Sequence, residues 1–438
     1  MSKKEKSEIT LQHVDEIYEI VKQNYKESEK ISSELNKIKD LNSNSAQHFS
    51  NAALAMIKGE KYDYSISKLG TEKLIEYISR DFKEVKNIKK NILFALRSQI
   101  NYRKTKGNPT YFTRKGYLNL SKKHNILIYG APGTGKSYMV EEEAKLCFVD
   151  KNVERITFHS DYSYSQFVGC YRPLNKNNNI KYEFTPGPFL KLLFKALDVE
   201  YKNKNKPKEK QDDKVFLVLI EEINRANVAS VFGDIFQLLD REDTGRSKYS
   251  ISISEDIKSY IKKYKKSLES FLKDNKLYLP ENFYIWATMN TSDQGVNVLD
   301  SAFKRRFDEY KFIGINDNDY IIDKYVVNIN GIKSQVTWNN FRKILNSFLL
   351  KKGIKEDKLI GPFFIKPEIL KNKKEFETVF FNKLVMYLLE DVLKYKHNFL
   401  FRYELLSQIK SFYYKKECIF SKQFLEYLNL KFEEKIYE

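Results

Sequence analysis

The sequence predicts an α/β fold in which a parallel sheet is flanked by helices, with a mostly helical region before it and a helical lid after it. Two observations carry this. Short apolar, β-rich runs at 126–129, 155–158, 215–220 and 283–288 alternate with stretches of helical spacing, the rhythm of strands joined by crossover helices. On either side, apolar residues recur every three or four positions without strand-like runs.

In the N-terminal flank, Leu11, Val14, Ile17, Val21, Tyr25, Ile31, Leu35 and Ile38 predict one amphipathic helix over 9–41, with a coiled coil as the alternative. A polar break at 42–45 follows, then helical patterns at 52–57 and 74–100. The basic stretch 102–115, with Gly107 and Pro109, reads as a linker or docking loop. Residues 1–115 are therefore expected to form a helical N-terminal region, 116–315 the sheet-bearing core, and 316–438 the lid and a C-terminal extension. Within the core, 202–214 reads as a solvated loop. Residues 255–275 read as an inserted basic helix with Ile257, Ile261, Tyr264, Leu268 and Leu272 on its apolar side. Helical patterns at 341–350, 379–393 and 424–432 fill the last part.

Of 438 residues, 42% are hydrophobic and 31% charged, enough for a sizeable core beneath an ionised surface. Lys and Arg number 77 against 58 Asp and Glu, a net +19 that favours contact with polyanions such as nucleic acid. A compositional habit rich in Lys, Asn, Ile and Tyr explains the same excess. Cys147, Cys170 and Cys418 are too scattered for a disulfide framework or a zinc site. The polar start, with no apolar stretch behind it, and the lack of any run of about 20 apolar residues argue against a signal peptide or membrane anchor. The expected location is the cytoplasm.

The segment Gly130-Ala131-Pro132-Gly133-Thr134-Gly135-Lys136-Ser137 fits G-x-x-x-x-G-K-[ST], with an apolar strand before it and helical spacing after it. Glycines there let backbone N–H groups face phosphate oxygens. Lys136 would neutralise those oxygens and the Ser137 hydroxyl would ligate Mg²⁺. Downstream, the apolar run 215–220 ends in Glu221-Glu222. Glu221 is expected to hold the metal through water, and Glu222 to orient or deprotonate the attacking water. Most P-loop enzymes place Asp first, so Glu221 is a departure.

Further segments narrow the family: Ile220-Glu221-Glu222-Ile223-Asn224-Arg225-Ala226-Asn227, then Thr288-Met289-Asn290-Thr291-Ser292-Asp293, then Asp300-Ser301-Ala302-Phe303-Lys304-Arg305-Arg306-Phe307. Together with the phosphate loop they resemble the McrB family of AAA+ proteins, the motor subunits of modification-dependent restriction systems. An upstream stretch from Phe158 to Pro173 is similar to another element of that family, and Ile360-Gly361-Pro362-Phe363-Phe364 is a weaker echo. The likeness covers about 122–315 and not the N-terminal region.

The resemblance implies an AAA+ core that hydrolyses GTP, with ATP left open, and uses Mg²⁺. It implies Asn290 as the residue sensing the γ-phosphate or lytic water, Asp293 bracing the nucleotide-binding turn, and Arg305 or Arg306 as an arginine finger reaching a neighbouring subunit. A finger acting in trans requires an oligomer, so a ring, by resemblance a hexamer, is expected. No nuclease constellation stands out, so DNA cleavage would come from a separate, McrC-like subunit. DNA is the expected partner of the N-terminal region, and no membrane is. The aromatic stretch 158–173 reads either as a loop facing a pore or subunit interface, or as plain core, with His159 packing there. A MoxR-like chaperone ATPase is the competing function.

Overall fold

Among the described residues of the computed structural model, six helices precede the first strand of the main sheet. The structure describes residues 10–38, 42–64, 66–85, 87–107, 111–121, 123–176, 179–271, 275–291, 296–317, 319, 322, 325–330, 332, 336–394 and 397–434. Met1 to Glu8, Pro109, Leu272, Ser292 and Asp293 lie outside them.

The expected helix over 9–41 is two: α1 (Leu11–Asn24) and α2 (Ser28–Leu35). Thr10 caps α1 in a reciprocal box with His13, and Val14, Ile17, Tyr18 and Val21 form its buried stripe. The chain turns after Asn24, so the stripe restarts at Ile31 and Leu35 on a second axis. Because α1 packs on α2 and on the following α3 (Ser43–Lys58) and α4 (Lys68–Asp81), its apolar face is covered within the chain, and no coiled coil forms. Asn42 caps α3, and Gly59, at φ 75°, ends it in the left-handed region.

Then come α5 (Ile88–Thr105) and α6 (Tyr111–Ser121); the expected linker 102–115 overlaps the end of α5 and the start of α6, with 108–110 outside the described residues, and the boundary expected at 115/116 falls inside α6. These helices share one apolar cluster with the sheet, from Val14, Phe49, Leu96 and Leu118 through to Leu217, Tyr284 and Trp286. Arg114, buried on α6, reaches the carbonyls of Lys145 (3.0 Å), Leu146 and Phe148 (3.1 Å), at the end of the helix that follows the phosphate loop. Burial pushes its pKa down, since nothing nearby fully replaces its lost hydration. Arg114→Met should leave those carbonyls unpaired and cost about 3 kcal/mol of stability in urea unfolding. A loss below about 0.5 kcal/mol, the scale of an ordinary surface change, would mean that this junction is not held by Arg114.

The core runs β1 (Asn125–Gly130), α7 (Lys136–Cys147), β2 (Val153–Thr157), α8 (Tyr164–Phe167), β3 (Gly169–Lys176), β4 (Asn179–Pro186), α9 (Pro188–Asn203), β5 (Phe216–Glu221) and α10 (Val228–Phe232). It continues through β6 (Ile251–Ser252), α11 (Glu255–Tyr264), α12 (Lys266–Phe271), β7 (Lys276–Leu277), β8 (Phe283–Asn290), α13 (Ser301–Lys304) and β9 (Glu309–Ile313). The main sheet has the order β2-β5-β8-β1-β9, and all its pairings are parallel. Central β5 and β8 are buried almost throughout, as continuous apolar runs require, whereas the edge strands β2 and β9 are only partly buried. Gly130 lies opposite Asn290 and Thr157 opposite Glu221, which aligns the carboxyl ends of four strands along one edge.

The stretch 158–173 is core in part and exposed in its last residues. Phe158 and Phe167 are core, while Tyr171 lies on the exposed hairpin β3–β4. His159 packs edge-on against Tyr162. The inserted helix is two, α11 and α12, with Ile257, Ile261 and Leu268 buried.

After β9 come β10 (Val326–Val327), β11 (Val336–Thr337), α14 (Trp338–Lys351), α15 (Pro367–Leu370) and α16 (Lys373–Val379), then wide-wound helical turns over 380–393, α17 (Leu406–Tyr414) and α18 (Lys422–Glu434). This part has its own core around Trp338, Phe341 and Phe424. Its fully buried Arg342 bonds to Asn339 and to the carbonyls of Ile315 (2.7 Å) and Ile360 (3.1 Å). The three cysteines are free, and no described helix is long and apolar enough to cross a membrane.

Candidate functional site

Strand β1 delivers Gly130 to the carboxyl edge of the sheet, and α7 begins at Lys136. Between them Gly133 and Gly135 hold φ of 75° and 86°, a region that side chains with a Cβ avoid and that lets the loop curl tightly. Lys136 is 7% exposed, and its ammonium donates to the carbonyls of Gly130 and Ala131, each at 2.9 Å. Thr134 Oγ1 also donates to Ala131 O at 2.9 Å, and the loop is closed on itself.

The segment after α14 docks on this loop. Gly361 N donates to Pro132 O at 2.9 Å, and Phe363 N to Gly133 O at 2.7 Å. The approach is so close that a Cβ on Gly361 would lie 2.3 Å from Gly133 C and Thr134 N. Gly361→Ala must therefore push lid and loop apart, and overpacking of this kind costs about 1–3 kcal/mol. Nucleotide affinity should fall about tenfold with helical content unchanged, read by titration of a fluorescent nucleotide and by circular dichroism. Wild-type affinity would show that the loop does not depend on this contact.

A cavity of about 650 Å³ opens between loop, sheet edge and lid, lined by Pro132, Gly133, Gly135, Lys136, Ser137, Tyr138, Glu222, Thr288, Asn290, Phe363, Lys366, Pro367 and Glu368. Its size suits a small-molecule ligand. Of the expected site residues it gathers most of the phosphate loop, Glu222 and Asn290. Glu222 stands just past the end of β5 in the left-handed region, at φ 53°, a costly position for a side chain. Asn290 Nδ2 donates to Glu222 Oε1 at 2.6 Å, and Arg225 Nε is 3.5 Å from Oε2. Asn224 Nδ2 in turn donates to Asn290 O at 2.7 Å, fixing the strand end.

Other expected residues lie elsewhere. Glu221 does not line the cavity; Arg155 on β2 donates to its carboxylate at 2.7 Å. This pairing raises the pKa of Arg155. Arg305 and Arg306 are also outside the cavity. Arg306 is tied down: its Nε meets Asp240 at 3.0 Å, another nitrogen donates to Ala302 O at 2.9 Å, and its guanidinium lies 4.1 Å from the Phe236 ring centre. Arg305 is exposed and makes no side-chain hydrogen bond or ion pair with a described residue. Asp293 is outside the described residues.

Sequence reasoning missed Tyr138, Thr288, Lys366, Pro367 and Glu368, although Gly361 to Phe364 was the available signal for the lid wall. The donor set fits a nucleoside triphosphate with Mg²⁺: the glycine-rich loop, a buried lysine, a serine and a carboxylate share one cavity. No group of three or more His, Cys, Asp or Glu able to hold a metal is found among the described residues. A magnesium ion would thus rest largely on phosphate oxygens, with a protein oxygen or two.

The family model for the AAA domain of the dynein-related subfamily matches residues 125–307. Over 300 residues the chain is 42% identical to the type II restriction enzyme BsuMI component YdiS of Bacillus subtilis, which spans 63% of this chain and 80% of that protein. Over 191 residues it is 31% identical to the type IV methyl-directed restriction enzyme EcoKMcrB subunit of Escherichia coli. That alignment covers 43% of this chain and 35% of the relative, so about two thirds of the latter lies outside the match. With the sheet order, the phosphate loop and the Glu222–Asn290 pair in place, this chain belongs to the McrB-like AAA+ family of P-loop nucleoside triphosphatases found in restriction systems.

Proposed function

We propose that this chain is the GTP-driven motor of a DNA restriction system, acting in the cytoplasm as a homo-oligomeric ring, by family a hexamer, with a separate McrC-like nuclease subunit. The observation that carries the reading is the convergence of Lys136, Ser137, Glu222 and Asn290 on one cavity, in a chain that resembles named restriction-enzyme components.

In this reading the N–H groups of Gly133 to Ser137 and the Lys136 ammonium bind the phosphates. Ser137 holds Mg²⁺, which supplies charge neutralisation at the transferred phosphoryl group. Glu221, engaged by Arg155, serves the ion only through water. Glu222 polarises the attacking water, and Asn290 holds the Glu222 carboxylate in place. Arg305 acts as the finger on a neighbouring subunit's nucleotide, and Arg306 anchors the turn that presents it. Asp293 braces the loop after Asn290.

Residues 1–115 are assigned to DNA contact, 116–315 to hydrolysis and 316–438 to the lid. The support for DNA is the +19 charge and the likeness to restriction-enzyme components. An electrophoretic-shift assay on the full chain, with and without GTP and Mg²⁺, should show salt-sensitive DNA binding. No shift under either condition would remove DNA from the proposal.

A further inference from the structure

The phosphate end of the cavity is defined by the loop and by Lys136, and the strand-end wall by Glu222, Thr288 and Asn290. A nucleotide laid with its phosphates there must place its base against the remaining wall, formed by Tyr138, Phe363, Lys366, Pro367 and Glu368. Two of these are aromatic and suited to stacking on a purine face. The other two that bear charge, Lys366 and Glu368, sit two residues apart at the start of α15. Both are exposed, and neither side chain makes a hydrogen bond or ion pair with a described residue.

We infer that Glu368 and Lys366 read the Watson–Crick edge of guanine. That edge presents an acceptor, O6, beside two donors, N1–H and the N2 amino group. A carboxylate takes both donors and an ammonium takes the acceptor. Adenine offers the reverse: its N6 amino group would face the ammonium and its N1 lone pair the carboxylate. The pair therefore selects by mismatched donors and acceptors as well as by attraction. Asn290 is spoken for, since its amide nitrogen is 2.6 Å from Glu222 at the opposite wall. The stretch Asn290 to Asp293, for all its likeness to a guanine-reading N-K-x-D motif, begins at the wrong end of the cavity to read a base.

This inference rests on the nucleotide-binding reading of the cavity and on GTP as the nucleotide. Affinities of the full-length protein for Mg²⁺-bound guanosine, inosine, xanthosine and adenosine triphosphate test it. The wild type should prefer guanosine over inosine triphosphate, which lacks the N2 amino group, and both over ATP. Glu368→Gln should weaken guanosine triphosphate at least about tenfold, the scale of one charge-assisted hydrogen bond, and strengthen ATP, because the glutamine amide can donate to the adenine N1 lone pair that the carboxylate repels. Xanthosine triphosphate, whose O2 can accept from the new amide, should gain. Lys366→Met should weaken guanosine and inosine triphosphate alike. A Glu368→Gln protein that keeps the wild-type ratios overturns the assignment of Glu368 while GTP stands as substrate. A wild type that prefers ATP overturns GTP itself.

Discussion

Glu222→Gln is expected to lower phosphate release by about 10²- to 10⁴-fold, the range that a positioned general base contributes, while nucleotide still binds. The glutamine keeps the size and the left-handed backbone of Glu222 and can still accept from Asn290, now at 2.6 Å. It loses only the negative charge that draws a proton from water. Binding is retained because the phosphate contacts come from the loop after β1 and from Lys136 at the start of α7, not from the end of β5. Single-turnover release and equilibrium binding on the same preparation separate the two. Normal turnover would move the catalytic role to Glu221 or elsewhere, and loss of binding would make Glu222 a structural support of the loop.

Arg305 and Arg306 should part company. Arg305→Ala is expected to cost on the order of 10³ in turnover, as removal of an arginine finger does, with stability unchanged because its side chain is exposed and makes no hydrogen bond or ion pair with a described residue. The deficit should be curable in trans: a protein carrying Arg305→Ala mixed with one carrying Glu222→Gln should recover part of the activity, since each supplies what the neighbour lacks. Arg306→Ala should instead destabilise the chain by about 2–3 kcal/mol, through the loss of the Asp240 ion pair, the Ala302 bond and the stacking on Phe236. Full activity in Arg305→Ala, or no gain on mixing, would remove the finger from Arg305.

The parts of the fold that were legible are those with a period or a motif. The buried strands β5 and β8 are continuous apolar runs, and the phosphate loop announces itself by glycine spacing, so the sheet and one wall of the site could be read directly. Helix breaks were not legible where no Pro or Gly marks them: α1 and α2 carry one apolar spacing, and only packing against α3 and α4 makes the chain turn at Tyr25. Residues 102–115 looked like a linker because they are basic, yet Arg114 finds its partners in carbonyls of a helix more than thirty positions away. The lid wall depends on a contact across the chain, Gly361 on Pro132, that no local pattern encodes. Likewise the adjacent acids Glu221 and Glu222 look equivalent in sequence, and only the neighbouring Arg155 and Asn290 separate them.

The central claim is most directly tested by phosphate release from the full-length protein with GTP and with ATP, each with Mg²⁺, in the presence and absence of DNA. Release that is selective for GTP and stimulated by DNA is the expected result. Release that is selective for ATP and indifferent to DNA would contradict a GTP-driven restriction motor and favour a MoxR-like remodelling ATPase built on the same fold.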